Sequence, residues 1–173
     1  MAHASYLPET WFDPRLEVRP SPIHEFGLFG TGPFRQGEII MIWGGTLYTQ
    51  EDMDAGRVPD NYACSLTESG LLLCGQDDLT DRYINHSCDP NIWMDGDTHL
   101  VARRDIPAGE EITGDFVVWD MISIIDPCRC GSPHCRGRFT NQDWKLPELQ
   151  ARYQGHFLPY IARCISEHRS EFS

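Results

Sequence analysis

Residues 16 to 118 repeat one pattern: short apolar runs cut every few residues by Gly, Pro or Asp. Glu38-Ile-Ile-Met-Ile-Trp43, Tyr62 to Leu66, Leu71 to Cys74 and His99-Leu-Val-Ala102 read as strands on composition and length. Thr67-Glu-Ser-Gly70 reads as a hairpin turn between two of them. A short helix is expected over Thr49 to Ala55, where Thr49 or Gln50 precedes an acidic first turn. Nowhere in this stretch do apolar residues keep a helical period for roughly 15 residues. The alternation of strands and long helices that builds a doubly wound sheet is therefore excluded, and the fold class is mostly β with short helices.

After residue 140 the pattern changes. Leu146-Pro-Glu-Leu-Gln-Ala-Arg-Tyr153 carries proline at a first helical position, and Gly155 follows as a stop. Pro159 opens a second expected helix, with Ile161, Cys164, Ile165 and His168 on one stripe. We find no internal repeat and no low-complexity segment.

Fourteen basic residues face 26 acidic ones across 173 residues, a net charge of −12. That balance argues against binding nucleic acid through phosphate neutralisation, and suits either a basic partner or a solubilising surface. The first residues lack the basic and apolar regions of a targeting signal. The longest apolar run, Ile39 to Trp43, falls far short of the roughly 18 residues of a membrane helix. A soluble, intracellular protein is expected, cytoplasmic or nuclear, as a monomer or homodimer.

Three of the seven cysteines crowd into Cys128-Arg-Cys130-Gly-Ser-Pro-His-Cys135. Three thiolates within so short a span suit a structural zinc site, which takes four ligands in a tetrahedron. Metal binding in a reducing compartment explains the crowding better than disulfides do. The fourth ligand must come from elsewhere: Cys88 leads, inside the turn-like Asn85-His-Ser-Cys-Asp-Pro-Asn91, and His134 is a local alternative.

Two other patterns carry less. The glycines of Glu25-Phe-Gly-Leu-Phe-Gly-Thr-Gly32 do not follow G-x-G-x-x-G, and no helix pattern follows them, so a turn between strands is the better reading. His86 stands two residues from Cys88, but a thiol committed to zinc cannot also act as a nucleophile.

Taken in order, these pieces resemble the SET-domain protein lysine methyltransferases. The matching stretches are Ile23-His-Glu-Phe-Gly-Leu-Phe29, Trp43-Gly-Gly45 and Arg82-Tyr-Ile-Asn-His-Ser-Cys-Asp-Pro-Asn91. Ala102-Arg-Arg-Asp-Ile-Pro-Ala-Gly-Glu-Glu-Ile-Thr-Gly-Asp-Phe116 follows, and the segment from Cys128 to Gly137 is similar to the family's post-SET zinc module. The resemblance covers about residues 16 to 138. It implies a SET domain over 16–118 and a zinc module over 126–138, leaving a helical extension over 140–173.

The resemblance further implies a fold of short sheets with a knot-like crossing near the C-terminal motif. S-adenosylmethionine would lie in a cleft on one side, and a lysine of a protein substrate, such as a histone tail, would enter a narrow channel from the other. Phe26 and Gly27 would offer backbone contacts to the cofactor, Asn85 and His86 would hold it, and Phe139 would stack near the adenine. Cys88, Cys128, Cys130 and Cys135 match the family's four zinc ligands. Phe116, Tyr62, Trp43 and Gly114 are the candidate residues around the transferring methyl.

The chain departs from the family at specific positions. Phe116 replaces a tyrosine whose hydroxyl sits beside the methyl, and Gly114 replaces a Phe or Tyr associated with how many methyls fit, so the channel is expected to be wider there. Trp43 replaces a channel-wall tyrosine, Glu25 replaces the first glycine, and Tyr83 replaces a phenylalanine. Tyr62 or Tyr83 could supply a substitute hydroxyl, although packing is the simpler role for both. Three readings follow: a lysine methyltransferase, a weak or inactive module that binds cofactor and partner, and an enzyme redirected to a non-protein amine. With no reader or DNA-binding domain in the sequence, substrate choice falls to the insert between about Thr46 and Asp81, the acidic surface and the C-terminal helices. The layout is also similar to small stand-alone bacterial SET proteins, which would leave the substrate open beyond histones. The C-terminal segment is expected to pack on the zinc module or to form a dimer contact.

Overall fold

The short apolar runs pair into three small sheets, and the first two contribute to one core cluster. The structure, a computed structural model, describes residues 6–58, 64–67, 71–75 and 82–170. In the first sheet β1 (Trp11–Phe12), β4 (Ile39–Ile42), β10 (His99–Ala102) and β9 (Ile92–Asp95) lie in the order β1-β4-β10-β9. In the second, β2 (Leu16–Pro20), β3 (Phe26–Gly30), β11 (Glu111–Gly114) and β8 (Asn85–His86) lie in the order β2-β3-β11-β8. The third, β5 (Thr46–Tyr48), β7 (Leu72–Cys74) and β6 (Cys64–Leu66), runs β5-β7-β6.

Leu28, Ile40, Met41, Ile92, Met94, Leu100 and Ile112, drawn from the first two sheets, are fully buried in one cluster. Burial of this kind is the main stabilising term in a β-rich fold.

The expected strands and helices form nearly where the residues put them. His99 to Ala102 is a strand over its full length, and α1 (Gln50–Asp54) starts from Thr49. There the Thr49 side chain accepts from the Asp52 N–H, while Asp52 accepts from the Thr49 N–H, closing a capping box. The expected turn at 67–70 lies mostly outside the described residues, but β6 and β7 pair antiparallel around it, with Leu66 opposite Leu72.

Cys88, Cys128, Cys130, Cys135 and Cys164 are free thiols, whereas Cys74 is disulfide-bonded.

The C-terminal extension belongs to the same core. α2 (Pro147–Arg152) has Pro147 at its first position, and α3 (Pro159–Ser170) buries Ile161 and Ile165 with Cys164 and His168 half-buried beside them, the stripe expected from sequence. Tyr153 is fully buried. His156 stacks flat on Trp93 of β9 at 3.4 Å and its Nδ1 meets the Met94 carbonyl at 2.8 Å. Arg152 donates to the Cys88 carbonyl at 3.0 Å, so the extension braces the β core beside the cysteine cluster. None of the described helices is long and apolar enough to cross a membrane.

Candidate active site

Parallel pairing of β8 with β11 is the local event that assembles the site. Its register sets Asn85 opposite Thr113 and His86 opposite Gly114. Two segments far apart in sequence thus lie side by side, at the crossing the resemblance implied. Asn91 locks them: its Oδ1 accepts from the Thr113 N–H at 2.9 Å and its Nδ2 donates to the Glu111 carbonyl at 2.7 Å.

A cavity of about 530 Å³ opens at this junction, lined by Ile84, Asn85, His86 and Phe116 from the paired segments. Ile23, His24 and Arg82 line it, and the chain from Ile125 to Arg129 forms the remaining wall. Its volume is that of a small-molecule site.

Asn85 is held by three acceptors. Its Nδ2 donates to Glu111 Oε1 at 2.7 Å, to the Phe26 carbonyl at 2.9 Å and to Ser21 Oγ at 3.2 Å. This spends the amide nitrogen and leaves Oδ1 as the polar end of the side chain. Gly27 makes room for the arrangement: a Cβ there would fall 2.7 Å from the Glu111 carboxyl carbon and 3.0 Å from Ser21 Cβ. Phe26 itself is exposed and meets Tyr83 edge-to-face at 6.1 Å, so Tyr83 is a packing residue beside the site.

His86 is 3% exposed, and burial pushes its pKa down to about 4 against the pull of Asp115. The ring is therefore neutral near pH 7. Nδ1 accepts from the Phe116 N–H at 3.3 Å, which assigns the proton to Nε2, 3.4 Å from Cys88 Sγ. A neutral ring makes no ion pair with the Asp115 carboxylate 3.7 Å away. Phe139 is fully buried, its ring 5.3 Å from His86 and 6.1 Å from Phe116. It supports the cavity wall from behind and does not line the cavity, where a cofactor-stacking position was expected.

The four expected zinc cysteines converge. Cys88, Cys128, Cys130 and Cys135 place their sulfur atoms within 4.8 Å of one another, with Cys88 and Cys128 4.0 Å apart. A tetrahedron with Zn–S of about 2.3 Å has sulfur–sulfur edges of about 3.8 Å, so the set fits a tetrahedral ion. His134 is exposed and outside the set. Burial opposes ionisation of Cys130, but backbone N–H groups of Cys88 and Ser132 together with the Cys128 and Cys135 thiols outweigh it and draw the thiol down to about 7. The Arg136 N–H donates to Cys88 Sγ and the Gly137 N–H to Cys135 Sγ, both at 3.3 Å, as thiolate ligands require.

The expectation of a wider channel at Gly114 is corrected. A Cβ at position 114 would fall on the Trp119 indole, 2.6 Å from Cζ2 and 2.9 Å from Cζ3. The space is filled by a ring arriving from the turn at Phe116–Val118, five residues downstream of Gly114. Trp119 meets Trp43 edge-to-face at 5.9 Å and Phe116 at 5.8 Å. Tyr62 lies outside the described residues.

Sequence reasoning missed His24, Arg82 and Arg129 in the cavity wall, and it missed Trp119. His24, Arg82 and Arg129 lie within quoted motifs, but nothing local marks a residue as lining a cavity assembled by tertiary contacts.

A model of the SET domain matches residues 25–117. The chain is 32% identical over 155 residues to histone H3-lysine(4) N-trimethyltransferase ATX1 of Arabidopsis thaliana, covering 76% of this chain and 14% of that protein. It is 31% identical over 137 residues to the H3 lysine-4 specific histone-lysine N-methyltransferase of Schizosaccharomyces pombe, covering 71% of this chain and 15% of the relative. The chain thus spans about a seventh of the length of the curated relatives it matches. The methyltransferase domain of human SETMAR superposes with a TM-score of 0.53 at 18% identity, over 73% of this chain and 58% of that one, a likeness of fold. With the family model covering more than half of its residues, the chain belongs to the SET-domain family.

Proposed function

We propose that the protein transfers a methyl group from S-adenosylmethionine to the side-chain amine of a protein lysine. The observation that carries this reading is the single cavity walled by both Asn85–His86 and Phe116, one from each paired motif of a SET fold. The relatives' printed activities are histone-lysine methylation, and a histone tail is accordingly the first substrate to try. A net charge of −12 favours such a basic partner. A histone substrate would put the protein in the nucleus.

S-adenosylmethionine supplies an activated methyl: the amine lone pair forms the N–C bond as the C–S bond breaks, and that bond's electron pair leaves with the sulfur. The chain needs no nucleophile of its own. Its work is to hold the two reactants in line, a proximity effect. Asn85, with its nitrogen spent on Glu111, Phe26 and Ser21, offers Oδ1 to a ligand ammonium. The lysine amine, whose ordinary pKa is about 10.4, must arrive uncharged. Desolvation by apolar rings such as Phe116 and Trp43 favours that form, and the proton passes to water before attack. Cys88, Cys128, Cys130 and Cys135 would hold one zinc ion that ties the chain around residues 128–135 to the Asn85–Asn91 turn, giving the cavity its far wall.

A second reading, a module that holds the cofactor without turning it over, is favoured by one feature: Phe116 brings no hydroxyl to the reacting centre. The two are separated by titrating S-adenosylmethionine calorimetrically and measuring label transfer to core histones with the same preparation. Binding with transfer supports the enzyme, and binding without transfer to histones or a host lysate supports the module.

A further inference from the structure

Thirteen of the 14 basic residues are arginine, and Lys145 is the one lysine in the sequence. Lysine is ordinarily among the commonest residues of a globular chain. For a protein that holds an activated methyl the difference is chemical. A guanidinium stays protonated to beyond about pH 12 and its electrons are delocalised over a planar group, so it does not attack a methyl donor unaided. A lysine amine does so once it loses its proton. The basic side chains of this protein are thus inert toward methyl transfer except at one position.

Lys145 is exposed and ends the short turn Asp143–Lys145, whose Asp143 and Trp144 are buried. That turn packs against Phe116–Val118, the turn that brings Phe116 to the cavity. The Lys145 ammonium stands 5.1 Å from the centre of the Trp144 ring. Methylation keeps the positive charge, removes N–H donors that need water and adds apolar surface. An indole face therefore holds a methylated ammonium at least as well as a free one.

We propose that Lys145 is a methylation site, and that a second copy of this chain modifies it. The inference rests on the methyl-transfer reading and adds a substrate to it. Lys145 does not line the cavity, and the buried Asp143 and Trp144 fix the backbone on which it stands, so the modifying cavity belongs to another molecule. In the step, Lys145 Nζ gives its proton to water and its lone pair forms the N–C bond. The C–S electron pair leaves with the sulfur, and S-adenosylmethionine becomes S-adenosylhomocysteine.

The test incubates the full chain alone with methyl-labelled S-adenosylmethionine and maps the label by tandem mass spectrometry, with core histones as a parallel substrate. Wild type is expected to carry label on Lys145. Lys145→Arg keeps the charge beside Trp144, and should lose the self-label while labelling histones as wild type does. A mixture then separates donor from acceptor: Lys145→Arg supplies the working cavity, and Asn85→Ala, stripped of the side chain that faces the cofactor, supplies Lys145. Label is expected on the Asn85→Ala chain in the mixture and not on that variant alone, and wild-type self-labelling per chain should rise with chain concentration. Histone labelling by wild type with none on Lys145 overturns the inference and leaves the methyl-transfer reading standing. Label on wild-type Lys145 at a rate per chain that ignores concentration, with none on Asn85→Ala in the mixture, overturns transfer between copies. No label on histones or on the chain, with cofactor bound, overturns both readings.

Discussion

Arg136, the residue after the last clustered cysteine, donates both terminal guanidinium nitrogens to the carboxylate of Asp115, at 2.7 and 2.9 Å. Asp115 is fully buried, directly precedes Phe116, and also accepts the Tyr153 hydroxyl at 3.0 Å. Three parts of the chain therefore meet on one carboxylate: the cysteine segment, the site strand β11 and the C-terminal extension. The Arg136 Nε sits 3.4 Å from Asp143, an ion-pair distance without hydrogen-bond geometry, and is the one buried side-chain polar atom without a hydrogen bond among the described residues.

Breaking this junction should be costly. Asp115→Ala leaves the mostly buried Arg136 with only Asp143, 3.4 Å from its Nε, as a charge partner, and removing one partner of a buried pair costs about 3–5 kcal/mol. Denaturant unfolding measures it. A loss below about 1 kcal/mol would show that the junction contributes little to holding the three segments together.

Metal removal should act on the same region. Zinc analysis is expected to find one ion per chain, lost in Cys128→Ser and in Cys88→Ser alike, because the four sulfur atoms form a single cluster. Chelation should lower the melting temperature and weaken cofactor binding, since Cys128 lines the cavity. Retention of the metal by Cys88→Ser would assign the fourth ligand elsewhere.

Gly27→Ala tests the support of Asn85. The added methyl displaces Glu111 or Ser21, the two side chains that accept from the Asn85 amide, and overpacking of this kind costs about 1–3 kcal/mol. Cofactor affinity measured by calorimetry should fall about tenfold, while Gly37→Ala, where an added Cβ meets no atom within 4 Å, should leave it unchanged.

Glu25 occupies a backbone conformation with φ of +28°, in the left-handed region where side chains are disfavoured. Relief of about 1–2 kcal/mol of local strain opposes the 0.5–1 kcal/mol by which glycine loosens the unfolded chain, both approximate. Glu25→Gly should thus be neutral or stabilising by up to about 1 kcal/mol in thermal or denaturant unfolding. Clear destabilisation would contradict the strained reading.

Phe116→Tyr restores a hydroxyl beside the cavity. If an oriented donor there stabilises the transition state, methyl transfer should rise on the order of 10²-fold, as single oriented donors contribute elsewhere. Unchanged turnover would mean another group already fills that role.

What the sequence made legible was local. Thr49 before an acidic first turn announces α1, and the Ile161, Cys164, Ile165 and His168 stripe announces α3, because both depend on neighbours a turn away. Cys-x-Cys-x4-Cys announces its cluster for the same reason, and only the fourth ligand needed the fold. The misses depend on contacts that spacing does not encode. Gly114 looked like a vacancy and is covered by Trp119, whose path is set by the tight turn at Phe116–Val118. Phe139, which the resemblance put near the adenine, is fully buried behind His86, because the residues after the cysteines fold inward and bridge to Ile125.

The central claim is that one cavity, walled by Asn85, His86 and Phe116, serves methyl transfer to lysine. The most direct test incubates wild type and Asn85→Ala with methyl-labelled S-adenosylmethionine and core histones, and maps the label by tandem mass spectrometry. The account predicts label on lysine side chains with wild type and its loss with Asn85→Ala. Label on lysine that persists undiminished in Asn85→Ala, or no label on any lysine despite cofactor binding by wild type, would contradict it.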